Sequence, residues 1–219
     1  MDSKGHPEIF LLSLAFQGFL DVTYASLIDG LAQSAKLKRA KSTTGAIRYL
    51  EANHPKAILV TDEGLTESKN KGVLEKLLAY VQKGGLAIIG LHFPNFTTQD
   101  AFDKFFQEGF GLSWQRGDYH RTTFQFNPPC SLPSGILKDS FPSTYSMKVL
   151  HVKNANHHEK IFVPVPGAMT QSFILPPSPV DETQAAVVGA NIGDGFLVYC
   201  GDVNGEERTD KVILALCGL

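Results

Sequence analysis

The groups in this chain best suited to proton transfer are His92, in Gly90-Leu91-His92-Phe93-Pro94, and the carboxylates Asp62, Glu63 and Asp202. A histidine titrates near neutrality and can serve as general acid or base, and a neighbouring carboxylate can orient it or carry a second proton. Gln17, Asn204 and the run Tyr119-His120-Arg121 add hydrogen-bonding groups suited to holding a small polar ligand. None of the cysteines Cys130, Cys200 and Cys217 has a histidine close in sequence, so acid–base chemistry is favoured over a thiolate nucleophile. His92, Asp62, Asp202 and His120 would make a mixed nitrogen–oxygen metal site, but no HExxH or His-x-His spacing supports it. Neither a metal nor a cofactor is expected.

Each of these residues also has a structural role open to it. Asn204 and Glu207 have the spacing of a helix-capping pair. Asp62 can bind the amides of its own loop, and His92 can be a hydrogen-bonded pocket histidine without chemistry. His120 and Arg121 can be surface residues of a strand, and His157-His158 falls in a polar, exposed turn.

The elements that must position these groups follow from periodicity. Short apolar runs at Glu8–Phe16, Ala57–Thr61 and Leu86–Leu91 read as buried strands, with a weaker strand at Lys36–Lys41. Helical spacing runs over Val22–Ala35, Thr43–Asn53, Ser68–Lys83 (stopped by Gly84-Gly85) and Thr97–Glu108. Strand, helix and strand within about thirty residues make a right-handed βαβ unit with parallel strands. In such sheets ligands bind beyond the carboxyl ends of the strands. Asp62, Glu63, His92 and Asp202 each follow a strand, so they converge on one rim.

From about residue 114 to 190 the pattern changes. Tyr119–Asn127 alternates, Ser146–Lys153 and Lys160–Val165 are further strands, and prolines are frequent. This predicts antiparallel β structure with long connections, as an insertion or an extension of the sheet. Ala185–Asn191 and Phe196–Cys200 pair across Gly193-Asp194-Gly195, and Glu206–Leu216 is the last helix. The fold class is α/β: a doubly wound, mostly parallel, flavodoxin-like sheet in a single domain.

Composition narrows the partners. With 219 residues, 43% of them hydrophobic, the chain can bury one sizeable core. A net charge of -2 gives no electrostatic case for nucleic acid or an anionic membrane, and no apolar run is long enough to span a bilayer. Ile9–Phe16 has the length of a signal-peptide core, but Asp2, Lys4 and Glu8 flank it without a basic region, and no small-residue cleavage site follows. Lys36, Lys38, Arg39 and Lys41 form the basic cluster, read as a helix end or a solvated face. The cysteine count suggests a reducing compartment, so the expected location is cytoplasmic.

The segment Gly84-Gly85-Leu86-Ala87-Ile88-Ile89-Gly90-Leu91-His92 resembles the glycine-rich strand ending in histidine of ThuA-like (trehalose-utilisation) proteins, of the class I glutamine amidotransferase-like superfamily. Phe110-Gly111 with Trp114, Gly117 and His120, then Leu132–Phe141, then Gly195–Asp202, are similar in order to later parts of that pattern. The resemblance implies the superfamily fold, and a role for the rim in binding or converting a small polar, sugar-like molecule. It departs from the pattern in three places. The elbow that carries Gly-x-Cys-x-Gly in a working amidotransferase reads Gly90-Leu91-His92-Phe93-Pro94, without a cysteine. The late strand ends in Gly201-Asp202-Val203-Asn204, without the His-x-Glu pair. Ser143–Lys148 replaces an acidic Asp-Glu pair. Glutaminase activity is therefore not expected. Two functions remain: acid–base chemistry by His92 with Asp62, Glu63 or Asp202, or a non-catalytic ligand-binding or oligomerisation module, in which case a homo-oligomer is expected.

Overall fold

The computed structural model describes residues 6–219; Asp2 and Lys4, invoked above as flanks of the first apolar run, lie outside the described residues. The chain builds one nine-stranded sheet in the order β2-β1-β3-β4-β9-β8-β7-β5-β6. The parallel part consists of β2 (Lys36–Ala40), β1 (Glu8–Leu12), β3 (Ala57–Val60), β4 (Leu86–Ile89) and β9 (Gly195–Cys200). Strands β1, β3, β4 and β9 form because each is a short apolar run that needs cover on two faces, while β2 is a half-exposed, basic strand held by its pairing with β1. Along β1, Ile9 and Leu11 enter one core while Phe10 and Leu12 enter the other. Helices α2 (Ala25–Ser34) and α7 (Glu207–Leu216) supply Leu27, Leu31, Val212 and Leu216 to the first. Helices α3 (Thr43–Ala52), α4 (Lys71–Gln82) and α6 (Gln99–Phe110) supply Ala46, Val73, Leu77, Phe102 and Phe106 to the second. Two one-turn helices, α1 (Leu20–Thr23) and α5 (Phe93–Phe96), follow β1 and β4.

The expectation of a mostly parallel sheet is corrected here: the sheet is mixed. Strands β8 (Val187–Ile192), β7 (Lys160–Pro164), β5 (Gln115–Phe126) and β6 (Thr144–Lys153) continue it by antiparallel pairing from β9 outward. The Pro-rich segment is therefore an extension of the same sheet. It also folds back on it. Leu150 N donates to Gly201 O at 2.9 Å, Val152 and Ala185 exchange backbone bonds, and Val203 N donates to Lys148 O. This return satisfies part of what would be the free edge of β6. It also brings β6, the far edge of the sheet, back against the loop after β9. The buried indole of Trp114 ties the entry to β5 down by donating to Glu159 Oε2 at 3.0 Å.

The basic cluster lies on and just after β2, an edge strand of the sheet. Lys36 pairs with Glu8, Arg39 pairs with Asp21, and the Lys41 ammonium stands 3.3 Å over the Phe16 ring. Charged side chains on an edge strand discourage pairing with another chain. Among the described residues no helix is long and apolar enough to cross a membrane.

Candidate functional site at the carboxyl rim

Because β1, β3, β4 and β9 are adjacent and parallel, the loops after them emerge on one rim. Ser13, just past β1, hydrogen-bonds Thr61, just past β3, at 2.8 Å between hydroxyl oxygens. Thr61 O accepts from the His92 amide at 2.9 Å. The β1 and β3 loops touch through Gly64: a Cβ there would stand 2.6 Å from Leu14 Cβ and 2.7 Å from Ala15 N.

The elbow after β4 carries the sharpest backbone feature. Leu91 has φ 56, the left-handed region that a branched side chain rarely adopts. Its side chain is buried with Tyr24, Leu27, Cys200 and Ile213 around a cavity of about 10 Å³, room for one water at most. His92 follows at the N-cap of α5 and is almost fully buried. Its ring is surrounded by aromatics: Phe19 at 4.7 Å, Phe96 at 5.2 Å and Tyr24 at 5.5 Å between centroids. Its Nδ1 is buried without a hydrogen-bond partner. Burial pushes the imidazole pKa down, so the ring is neutral at neutral pH.

The carboxylates are engaged elsewhere. Asp62 Oδ1 accepts from the amides of Leu14, Ala15 and Gly64 at 3.0–3.1 Å, stitching the β1 loop to the β3 loop, while Oδ2 is buried without a partner. Burial raises the Asp62 pKa, against the lowering effect of those amides. Asp202 accepts from Asn204 N and Glu206 N, both at 2.8 Å. It thereby holds the turn into α7, and burial raises its pKa too. Neither carboxylate hydrogen-bonds His92. Glu63 is half-buried with Oε2 unpartnered, and burial raises its pKa as well. The Asn204–Glu207 capping pair is also corrected: α7 begins at Glu207 with Glu206 as its N-cap, and Asp202 takes the nearby amides. Asn204 itself is exposed, and Gln17 is half-buried with its carbonyl accepting from Leu20 N at 3.0 Å.

The β5 residues form a second group. Tyr119 is exposed, with Lys148 Nζ 5.0 Å from its ring centroid. Arg121 pairs with Glu206 and so reaches the loop after β9. His120 faces inward onto His151, 4.3 Å between ring centroids. Among the described residues no cluster of three or more His, Cys, Asp or Glu could hold a metal ion.

Phe19, Phe96 and His151 carried no sequence signal. Phe19 precedes the one-turn helix α1 and Phe96 ends the one-turn helix α5, segments too short for a periodicity to mark an apolar residue. His151 sits inside the apolar run of β6, and only the β5–β6 register brings it to His120. A cavity of about 610 Å³ lies elsewhere, between α4 and α6, over Leu74 and Phe105. Its polar walls are solvated side chains of both signs, such as Lys71, Lys104 and Glu108, rather than buried groups converging on one point. None of the expected site residues lines it.

This mixed sheet with helices packed on both faces is an α/β fold. Solved structures share it. A ThuA-like protein from Bacteroides uniformis ATCC 8492 superposes with a TM-score of 0.63 at 8% identity, over 99% of this chain and 91% of that one. A ThuA-like protein from Parabacteroides merdae ATCC 43184 does so with a TM-score of 0.55 at 9% identity, over 97% and 88%. A β-galactosidase from Bacillus circulans sp. alkalophilus matches with a TM-score of 0.53 at 10% identity; all of this chain corresponds to 32% of that enzyme. At these identities the likeness establishes the fold, which is that of ThuA-like proteins. No protein-family profile and no curated protein matches the chain by sequence.

Proposed function

We propose that the chain is a non-catalytic binding module that holds a small polar, sugar-like molecule on its carboxyl rim. The observation that carries this reading is the aromatic platform. Phe19 and Phe96 are 49% and 41% exposed, lie edge to face at 6.1 Å, and both pack on the buried His92. Large, half-exposed rings at a strand-end rim offer an apolar surface to the C–H face of a sugar. The exposed side chains of Asn95, beside Phe96, and of Asn204, next to the Val203 carbonyl to which Asn95 Nδ2 donates, together with the half-buried Gln17, offer hydrogen bonds to its hydroxyls. The geometry of the acid–base candidates supports a binding role over turnover. Asp62 Oδ1 and both oxygens of Asp202 are spent on backbone amides, and the residue with the left-handed backbone at the elbow is a buried leucine.

A thermal-shift series tests the reading. Parts of β-galactosidases share the fold, so galactose, galactosides, trehalose and polyols make up the probe set. A ligand at 100 times its Kd adds about 2.7 kcal/mol, a shift of several degrees for a domain of this size. The expected result is a shift with at least one probe that disappears in the Phe19→Ala/Phe96→Ala double variant. No shift with any probe sinks the reading. Nitrophenyl glycosides provide the second arm: nitrophenol release by the wild type that is lost in His92→Phe would make His92 an acid–base catalyst instead.

A further inference from the structure

The two most exposed large apolar side chains of the described residues, Phe173 and Ile174, lie far along the chain from this rim, next to Leu175 at the tip of a hairpin between β7 and β8. Phe173 is fully exposed, Ile174 90% and Leu175 68%. The hairpin is built. Met169 bridges Pro179, Thr170 N donates to Ser178 O at 2.8 Å, and Val180 N donates to Ala168 O at 3.0 Å. Its base is fixed to the sheet: Gln171 N donates to Arg121 O, Gln171 Nε2 donates to Thr123 Oγ1, and Ser146 Oγ donates to Gln171 Oε1. No charged residue occurs from Ala168 to Val180.

We propose that this tip inserts into the interfacial region of an electrically neutral lipid surface. Four observations on the hairpin point there. The side chains project outward from a pinned turn, so they do not cover any part of the core. Most N–H groups of the tip are paired or absent. Ile174 N and Leu175 N both donate to Ser172 Oγ at 3.1 Å, and Pro176 and Pro177 have no N–H. A free amide is costly in hydrocarbon, and only Phe173 among these five residues retains one. The apolar area of the three side chains is on the order of 500 Å², short of the roughly 800 Å² per partner that a stable protein–protein interface buries. Such an area suffices for shallow, reversible insertion, which needs no complementary surface. Finally, the exposed Tyr119 stands on β5, the strand that binds Gln171, and such an amphipathic ring favours the headgroup level. The absence of charge on the hairpin selects neutral lipid over anionic lipid. Insertion of a three-residue tip needs neither a basic net charge nor a spanning helix.

The test is flotation of the 219-residue chain with vesicles of phosphatidylcholine alone, and of phosphatidylcholine with phosphatidylserine, at about 0.1 and 0.5 M salt. Binding to pure phosphatidylcholine is expected, unchanged by salt and not increased by phosphatidylserine. The Phe173→Ser/Ile174→Ser variant is expected to bind at least tenfold more weakly with an unaltered melting temperature, because both side chains are exposed. In Phe173→Trp, the new indole emission is expected to shift to the blue on adding vesicles. No binding to phosphatidylcholine, binding indifferent to the double substitution, or a blue shift that follows protein concentration without vesicles would each overturn the proposal. The last result would assign the tip to a second copy of the chain.

Discussion

The rings of His120 and His151 lie 4.3 Å apart inside the β5–β6 ladder, and the Nε2 of each is buried without a hydrogen-bond partner. His151 Nδ1 bonds Asp118 O at 2.9 Å. Burial, then the neighbouring His120, push the His151 pKa down to about 4, and burial also lowers that of His120. The unfolded chain therefore takes up the proton first, from about pH 6.5 downward. The native state has its full advantage above pH 6.5 and loses about 3 kcal/mol from His151 as pH falls to about 4. Asp210 works in the opposite direction. Burial raises its pKa to about 6, so its contribution declines as pH rises from about 4 to 6. Urea unfolding of the wild type and His151→Gln across pH 4–7 separates the two. The variant is expected to lose the acid-side fall due to His151, and parallel curves would contradict the assignment.

Asp62 reads as a stitch between two loops. Asp62→Ala leaves the amides of Leu14, Ala15 and Gly64 without their acceptor and is expected to cost about 3 kcal/mol. Asp62→Asn keeps an oxygen at the same place, removes a charge that burial disfavours, and is expected to change stability by less than about 1 kcal/mol. Equal losses in the two variants, measured by denaturant midpoints, would count against the amide network.

Leu91 combines a buried side chain with a left-handed backbone. Truncation to alanine is expected to cost about 3 kcal/mol by opening a cavity beside Tyr24 and Ile213. Alanine retains the backbone penalty of about 1–2 kcal/mol, which glycine escapes. Leu91→Gly is therefore expected to be at least as stable as Leu91→Ala, the reverse of their usual order. A clearly less stable glycine variant would show that the backbone at the elbow is unstrained.

The strands and helices of the parallel half were legible because each is a short run with one periodicity. Glu8–Leu12, Ala57–Val60 and Leu86–Ile89 lie within the expected strands, and the ends of α4 fall within three residues, and those of α6 within two, of the expected helix ends. The candidate site was legible in part. Chain order and strand direction were enough to bring Asp62, Glu63, His92 and Asp202 to one rim. They were silent on which hydrogen bonds those side chains would make, because Leu14 N and Asp62 are 48 residues apart and meet only once β1 and β3 pair.

By itself, then, the sequence determined the class of fold, the rim, and the absence of a cysteine at the elbow, since composition, periodicity and strand order are local properties. The tertiary structure decided the rest. It made the Pro-rich half an extension of one mixed sheet, closed Phe19, Tyr24 and Phe96 around His92, turned Asp62 and Asp202 onto backbone amides, and left Phe173, Ile174 and Leu175 without cover. Each of these depends on contacts between residues distant in the chain. Whether an apolar or ionisable side chain is packed, paired or free is set by what the fold places beside it.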